Sequence, residues 1–377
     1  MNFNQWTLGL AAAGIVSLAT VAQAEESAVN SAISGVTLSG AVETSAGISI
    51  GRNGELPGRS FDGKATQDGF NFNSARVTLE KAVSEDQFAA GFKTDFVYGA
   101  DAEAFYGNVI KQAYVALRAP VGNGIDLKLG VFDTPIGFEQ FDSGSNLNFS
   151  RSYGFYLEPN HHTGLLASYK VVDALSLSAG VANSSSGNGI LNAQDQRSTH
   201  EAEVTFLAGA TITLPEGTGA LQGSTINLGV IQGKSASNFA ASHDTTSYYG
   251  GATINTGITG LTLGTAFDYR HQTLTATSDW AWAAAGYVGY ALSEKLKLNA
   301  RYDITHGTSG TYFVGTVGDK SNELQSVTLT AAYDLWANVL TRLEGRWDHS
   351  MNDETPFGAT AKSDNAFTIA ADVIYKF

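Results

Sequence analysis

The thirteen C-terminal residues set the narrowest bound on what this chain can fold into. Phe367, Ile369, Ala371, Val373, Tyr375 and Phe377 alternate with Thr368, Ala370, Asp372, Ile374 and Lys376. A period of two puts the first set on one face of a strand and the second on the other. The first face is wholly apolar and ends in two rings. The second carries a carboxylate and an ammonium. A strand of a soluble sandwich also alternates, so the pattern must recur before it decides a fold. It does recur. Alternating stretches bounded by turn residues fall near 35–50, 70–81, 88–98, 109–118, 125–132, 163–171, 175–181, 201–214, 221–232, 246–255, 261–272, 280–292, 295–305, 324–335, 339–349 and 365–377, which makes sixteen.

The connections between these stretches take turns in length. Segments 82–87, 119–124, 172–174, 215–220, 256–260, 293–294 and 336–338 are short. Segments 51–69, 99–108, 133–162, 182–200, 233–245, 306–323 and 350–364 are longer and richer in Gly, Ser, Asn and Asp, with 273–279 a short exception on that side. Tight turns at one end and open loops at the other are the habit of a membrane barrel. Aromatic residues fall at both strand ends, Tyr290, Tyr333, Trp336 and Tyr375 at the short turns and Tyr98, Tyr248, Trp280 and Trp347 at the long loops, as interfacial girdles would sit.

Charge picks one face of each strand. Arg76, Lys93, Asp95, Arg118, Lys128, Asp268, Arg270, Lys297, Arg301, Asp303, Arg342, Glu344 and Arg346 share the parity opposite their strand's apolar set. On a lipid-facing wall each basic group would cost about 2–4 kcal/mol near the midplane, so these residues are expected to line a water-filled lumen. Their basic members are read either as solvated wall or as a strip that sets ion selectivity. The fold expected is all-β, a closed antiparallel transmembrane barrel of about sixteen strands, formed by residues 25–377 as a single domain.

Composition agrees. Charged residues are 15% of the chain, against roughly 25% in soluble domains. There are 42 Gly, 6 Pro and no Cys, the last in keeping with an oxidising compartment. With 22 basic and 36 acidic residues, the net charge of −14 leaves no basic stripe to displace counterions from a nucleic acid. The apolar run from Leu8 to Val21, followed by Ala22-Gln23-Ala24, reads as a cleaved secretory signal over residues 1–24. That run is short of the roughly 20 residues a spanning helix needs. The expected address is therefore the outer membrane, with its lipid and lipopolysaccharide as surroundings.

Segment 133–162, the third on the long-loop side, is too long for a bare hairpin and rich in Phe and Tyr, which argues for an ordered loop folded into the barrel. Its residues carry a family likeness. Gly130, Phe132, Thr134, Pro135, Gly137 and Glu139, then Asn148-Phe149-Ser150-Arg151-Ser152, then His162-Thr163-Gly164 resemble the signature of the outer-membrane β-barrel porins called OmpL-like. A weaker similarity is to phosphate-selective porins, although this loop carries no Lys cluster. The resemblance implies a passive diffusion channel for small hydrophilic solutes or ions that needs no cofactor. It makes this loop a constriction, with Asp133, Glu139, Asp142, Arg151 and Glu158 as its polar rim; Arg151 is alternatively a structural anchor. It also implies a trimer, and makes Tyr375 and Phe377 the signal read by the barrel-assembly machinery.

Two other classes stay open, a non-conducting structural or adhesin barrel and an outer-membrane barrel enzyme. Asp348-His349, Asp268 with His271, and His243-Asp244 invite a catalytic reading, and none has a serine or second acid at a useful spacing. The seven histidines read as rim residues. His161 and His162, adjacent on a strand, are expected to point to opposite faces and not to share a metal.

Overall fold

A computed structural model describes residues 35–50, 68–105, 109–185, 204–235, 243–273, 278–312, 321–352, 354–357 and 363–377. The expected signal segment lies outside them. Among the described residues sixteen strands follow one another: β1 (Thr37–Ile50), β2 (Gly69–Lys81), β3 (Ala90–Tyr98), β4 (Ile110–Ala119), β5 (Ile125–Asp133), β6 (His161–Val172), β7 (Leu175–Ala182) and β8 (Thr205–Thr213). The second half is β9 (Thr225–Ser235), β10 (His243–Asn255), β11 (Leu261–Thr273), β12 (Ser278–Ala291), β13 (Leu296–Gly307), β14 (Asn322–Trp336), β15 (Val339–Ser350) and β16 (Asn365–Lys376). Two short helices, α1 (Ala100–Phe105) and α2 (Tyr153–Leu157), interrupt the loops.

Each strand pairs antiparallel with its neighbours in sequence, and β1 pairs with β16 to close the barrel. Closure removes the sheet edges, whose unpaired N–H and C=O groups would each cost several kcal/mol in lipid. At the seam Gly40 and Phe377 exchange backbone hydrogen bonds of 2.9 and 3.0 Å. Along β16 the two faces separate sharply. Phe367, Ile369, Val373 and Tyr375 are about half exposed on the outside, whereas Thr368, Ala370, Asp372 and Ile374 are buried within. The same alternation runs through β12, where Ala281, Ala283, Ala285 and Tyr287 point inward and Trp282, Val288 and Tyr290 point out.

Two expectations need correction. Phe88 does not open β3; it sits in the preceding turn with φ of +61°, a conformation no strand accommodates. Leu221 belongs to a short 3₁₀ turn over Gly219–Leu221, so β9 starts four residues later than the alternation suggests. The loop after β3 also opens on α1, where Ala100, Asp101 and Ala102 are buried.

Candidate functional site

The segment between β5 and β6 makes its principal contacts with strands far along the chain. Its apolar part comes first. Ile136 and Phe138 meet glycines on the inner wall: a Cβ on Gly229 of β9 would lie 2.3 Å from Ile136, and one on Gly264 of β11 would lie 2.3 Å from the tip of Phe138. Phe138 also stacks on Tyr287 of β12 at a centroid distance of 4.4 Å. Phe132, Ile136, Leu166, Leu207, Ile231 and Tyr249 join them in a buried apolar cluster on the β5–β12 side. Gly264→Leu would drive a branched side chain into the space of the Phe138 ring, a conflict worth about 1–3 kcal/mol. We expect it to leave the barrel folded in detergent while lowering the protease resistance of the 134–160 segment.

The polar part lies against β13, β14 and β15. Arg301 is fully buried and forms ion pairs of 2.8 Å with both Glu139 and Asp303. Its guanidinium also donates to the carbonyls of Ser150 (2.6 Å) and Arg151 (3.1 Å). Arg342 pairs with Asp372 at 2.7 Å and donates to the Ser143 carbonyl at 2.7 Å and to its hydroxyl at 2.8 Å. Arg346 pairs with Asp348 at 2.7 Å and donates to the Arg151 carbonyl. Glu344 accepts from the backbone N–H groups of Phe149 (2.6 Å) and Ser150 (3.0 Å). Tyr153 donates its hydroxyl to Asp348 at 2.7 Å, and Ser143 donates to Glu43 on β1. Such buried charges persist because opposite charges or several hydrogen-bond partners lie beside them; removing one partner of a buried pair costs about 3–5 kcal/mol.

Of the five residues expected on a constriction rim, Glu139, Arg151 and Glu158 are buried. Glu139 accepts from the Ser152 N–H and hydroxyl, both at 2.7 Å. Arg151 donates to the carbonyls of Phe149 and Phe141 at 2.6 Å each and lies over the Phe155 ring. Both carbonyls belong to the loop itself. Asp133 pairs with Lys111 of β4. Asp142 pairs with Arg76 at 3.0 Å. Burial would lift its carboxyl, but Arg76, Lys376 and the Ser145 hydroxyl hold it down at about 2.

The wall residues divide in the same way. Arg76 also lies 3.9 Å from Asp95, and Lys93 pairs with Glu80 at 3.5 Å. Arg118 pairs with Asp126 at 2.8 Å beside the short turn, Lys128 sits over the Tyr114 ring, and Arg270 is half-buried. Asp268 is buried, while Lys297 is exposed. Lys297, Arg76, Asp142, Lys376 and Asn299 border a cavity of about 740 Å³ at the short-turn end, which Trp336 and Phe377 also reach. Of the basic wall residues, Arg76, Arg301, Arg342 and Arg346 each have a carboxylate partner.

Sequence reasoning missed Lys111, whose parity assigns it to the outward set with Val115 and Leu117. A bulge between β3 and β4 turns it inward, to 3.9 Å from Asp95. The histidine reading fails at two positions. His161 and His162 are both buried and are not rim residues; the His162 ring contacts the Ser184 carbonyl at 3.2 Å and the Thr134 hydroxyl at 3.3 Å. Among the described residues no group of His, Asp and Glu side chains is placed to hold a metal ion. Asp348 faces inward and His349 contacts Asn365 and Trp347 on the other side of the strand, so that pair is divided by the sheet. The His243 side chain lies outside the described residues.

Comparison with known proteins agrees with this architecture. An anion-selective porin from Comamonas acidovorans matches with a TM-score of 0.64 and 13% identity, covering 91% of this chain and 99% of that one. The outer membrane channel DcaP of Acinetobacter baumannii matches at 0.58 and 13%, covering 91% and 97%. Salmonella typhi OmpF, in a complex with daunomycin, matches at 0.58 and 12% with the same coverage. No curated protein matches the chain. The family described as "Putative beta-barrel porin-2, OmpL-like" matches residues 35–377. This chain belongs to that family, as an outer-membrane β-barrel porin whose channel serves passive diffusion.

Proposed function

We propose that small hydrophilic solutes and ions cross by a path that the segment from Asp133 to His162 narrows from within. The observation that carries this reading is the set of hydrogen bonds by which Arg301, Arg342 and Arg346 donate to, and Glu344 accepts from, the backbone of residues 143–151. Side chains on β13 and β15 reach that backbone only if the loop lies against their inner face. Passage needs no cofactor and no catalytic step; discrimination comes from the remaining cross-section and from the field of the wall. Arg76, Lys93, Arg118, Arg270, Arg301, Arg342 and Arg346 are the basic half of that field, with Glu139, Asp142, Asp303, Asp348 and Asp372 opposing them. The balance favours modest selectivity over strong preference for one sign.

Three identical chains would associate side by side; one solved relative, OmpT of Vibrio cholerae, is described in a trimer form. Outer-membrane lipid and lipopolysaccharide would surround the exposed apolar band, and Tyr375 and Phe377 would present the assembly signal. Conductance of the refolded protein in a planar bilayer tests the reading. Large stable steps are expected, and their complete absence would favour a structural barrel. In a salt gradient, Arg342→Ser with Arg346→Ser should shift the reversal potential toward cation preference. An unshifted potential would leave those arginines as wall alone.

A further inference from the structure

Where the loop returns toward β6, the Glu158 side chain hydrogen-bonds that of Asp268 on β11. Both carboxyl groups are buried. They are seated against bare loop backbone: a Cβ on Gly137 would lie 2.3 Å from the Glu158 carboxyl, and one on Gly154 would lie 2.4 Å from that of Asp268. Every other carboxylate with which this loop meets the far wall has a cation beside it or accepts from several donors. This pair differs. Among the described residues no Lys, Arg or His forms an ion pair with either member, and the charged group facing both is a third carboxylate, Glu139. Glu139 is already matched by Arg301. From β10 the pair is faced by the phenol of Tyr249, and from the loop after β13 Asp268 is faced by that of Tyr312, which the Arg270 guanidinium of β11 also faces.

Two touching carboxyl groups in a dry site cannot both be ionised, so one proton must serve as the hydrogen between them. Burial, with Asp268 and Glu139 beside it, raises the Glu158 carboxyl well above its ordinary range. We infer that Glu158 and Asp268 form a proton-operated latch, in which one shared proton holds the loop against β11 and its loss frees the loop from the wall. This rests on the reading that the loop narrows the channel from within.

The direction follows from linkage. Released into water, Glu158 would titrate near the ordinary value of about 4.3; docked, it keeps its proton to higher pH. The contribution to docking is therefore complete below the ordinary carboxylate range. It erodes as pH rises from there through the docked value, by up to about tenfold in the docking equilibrium per pH unit for one proton. Channels should be narrower in acid and wider toward alkaline pH.

The chain has no cysteine, so a single introduced thiol reports loop release. Leu157→Cys, next to Glu158, would be compared with Ser293→Cys on an exposed short turn, as the ratio of labelling rates in liposomes between pH 5 and 9. Tyr156→Cys serves if the buried Leu157 position impairs folding. The ratio is expected to climb with pH by up to about tenfold per unit. In the Glu158→Gln, Asp268→Asn background, where an amide pair keeps the contact without a titrating proton, it should stay low and flat. A pH-independent ratio in the otherwise native chain, or an unchanged slope in the amide background, would overturn the latch. Conductance recorded on the same samples separates the two ideas. A rising ratio without conductance at any pH would remove the channel reading and leave the latch standing, whereas steady conductance with a flat ratio would do the reverse.

Discussion

Arg301→Met is expected to undock the 134–160 segment and raise single-channel conductance together with its open-state noise. Methionine keeps most of the side chain's length but removes the five donors of the guanidinium. Glu139 and Asp303 would then be buried with a lost cation, and the Ser150 and Arg151 carbonyls would each lose a donor. Breaking a buried pair from one side costs about 3–5 kcal/mol, enough to shift a docked-to-free equilibrium of the loop by two to three orders of magnitude at about 1.4 kcal/mol per decade. The sheet itself should survive, because its ladder does not involve this side chain. Heat resistance of the folded band on gels would then persist while limited trypsin treatment cuts after Arg151, which is fully buried in the docked state. Unchanged conductance with Arg151 still protected would mean that the apolar contacts alone hold the loop. Glu139→Gln is the milder companion, since the amide oxygen still accepts from Ser152 while the charge and the acceptor on the Arg301 side are lost.

The barrel is legible in the sequence because lipid on one side and water or packed polar groups on the other impose a strict period of two. Asp372 and Lys376 opposite Val373 and Tyr375 already say which face of β16 is which, and the same test works strand by strand. It fails where the backbone leaves the pleat. Lys111 has outward parity but turns in at a bulge, and Phe88 continues an apolar rhythm from within a left-handed turn. The site was legible by residue type and not by partner. Arg301, Arg342 and Arg346 stand out as inward cations, yet Glu139 lies 162 residues before Arg301, and no local spacing joins them. Nor does the alternation mark Gly229 and Gly264 as seats for Ile136 and Phe138, since a glycine in a strand has many other uses. The aromatic content of segment 133–162 argues for an inward loop, but it does not foretell the buried polar half. Glu139, Arg151 and Glu158 have the side chains of a hydrated rim, yet all three are buried.

Gly40→Val should abolish stable closure of the barrel, a larger effect than any loop substitution. Gly40 lies on β1 opposite the chain end, where it exchanges both backbone hydrogen bonds with Phe377. A Cβ there would fall 2.4 Å from the Phe377 ring and 2.3 Å from the Arg76 carbonyl on β2. The ring can swing aside, but the carbonyl belongs to the ladder and cannot move without opening the pairing of β1 with β2. Both neighbours of β1 are thus strained by one substitution, at the seam where no further strand can compensate. An opened seam exposes unpaired backbone groups to lipid, at several kcal/mol each. The expected result is loss of the compact, heat-modifiable form during refolding into detergent or liposomes. Phe377→Ala on the native background separates the two causes. It removes the ring and adds no Cβ at position 40, so it should refold with a lower yield and still close. Gly40→Val combined with Phe377→Ala should remain open if the Arg76 carbonyl is the obstacle. Recovery of the compact form in that double variant would instead assign the whole effect to the ring, and would make the Phe377 side chain, not the β1–β2 ladder, the element that Gly40 is there to admit.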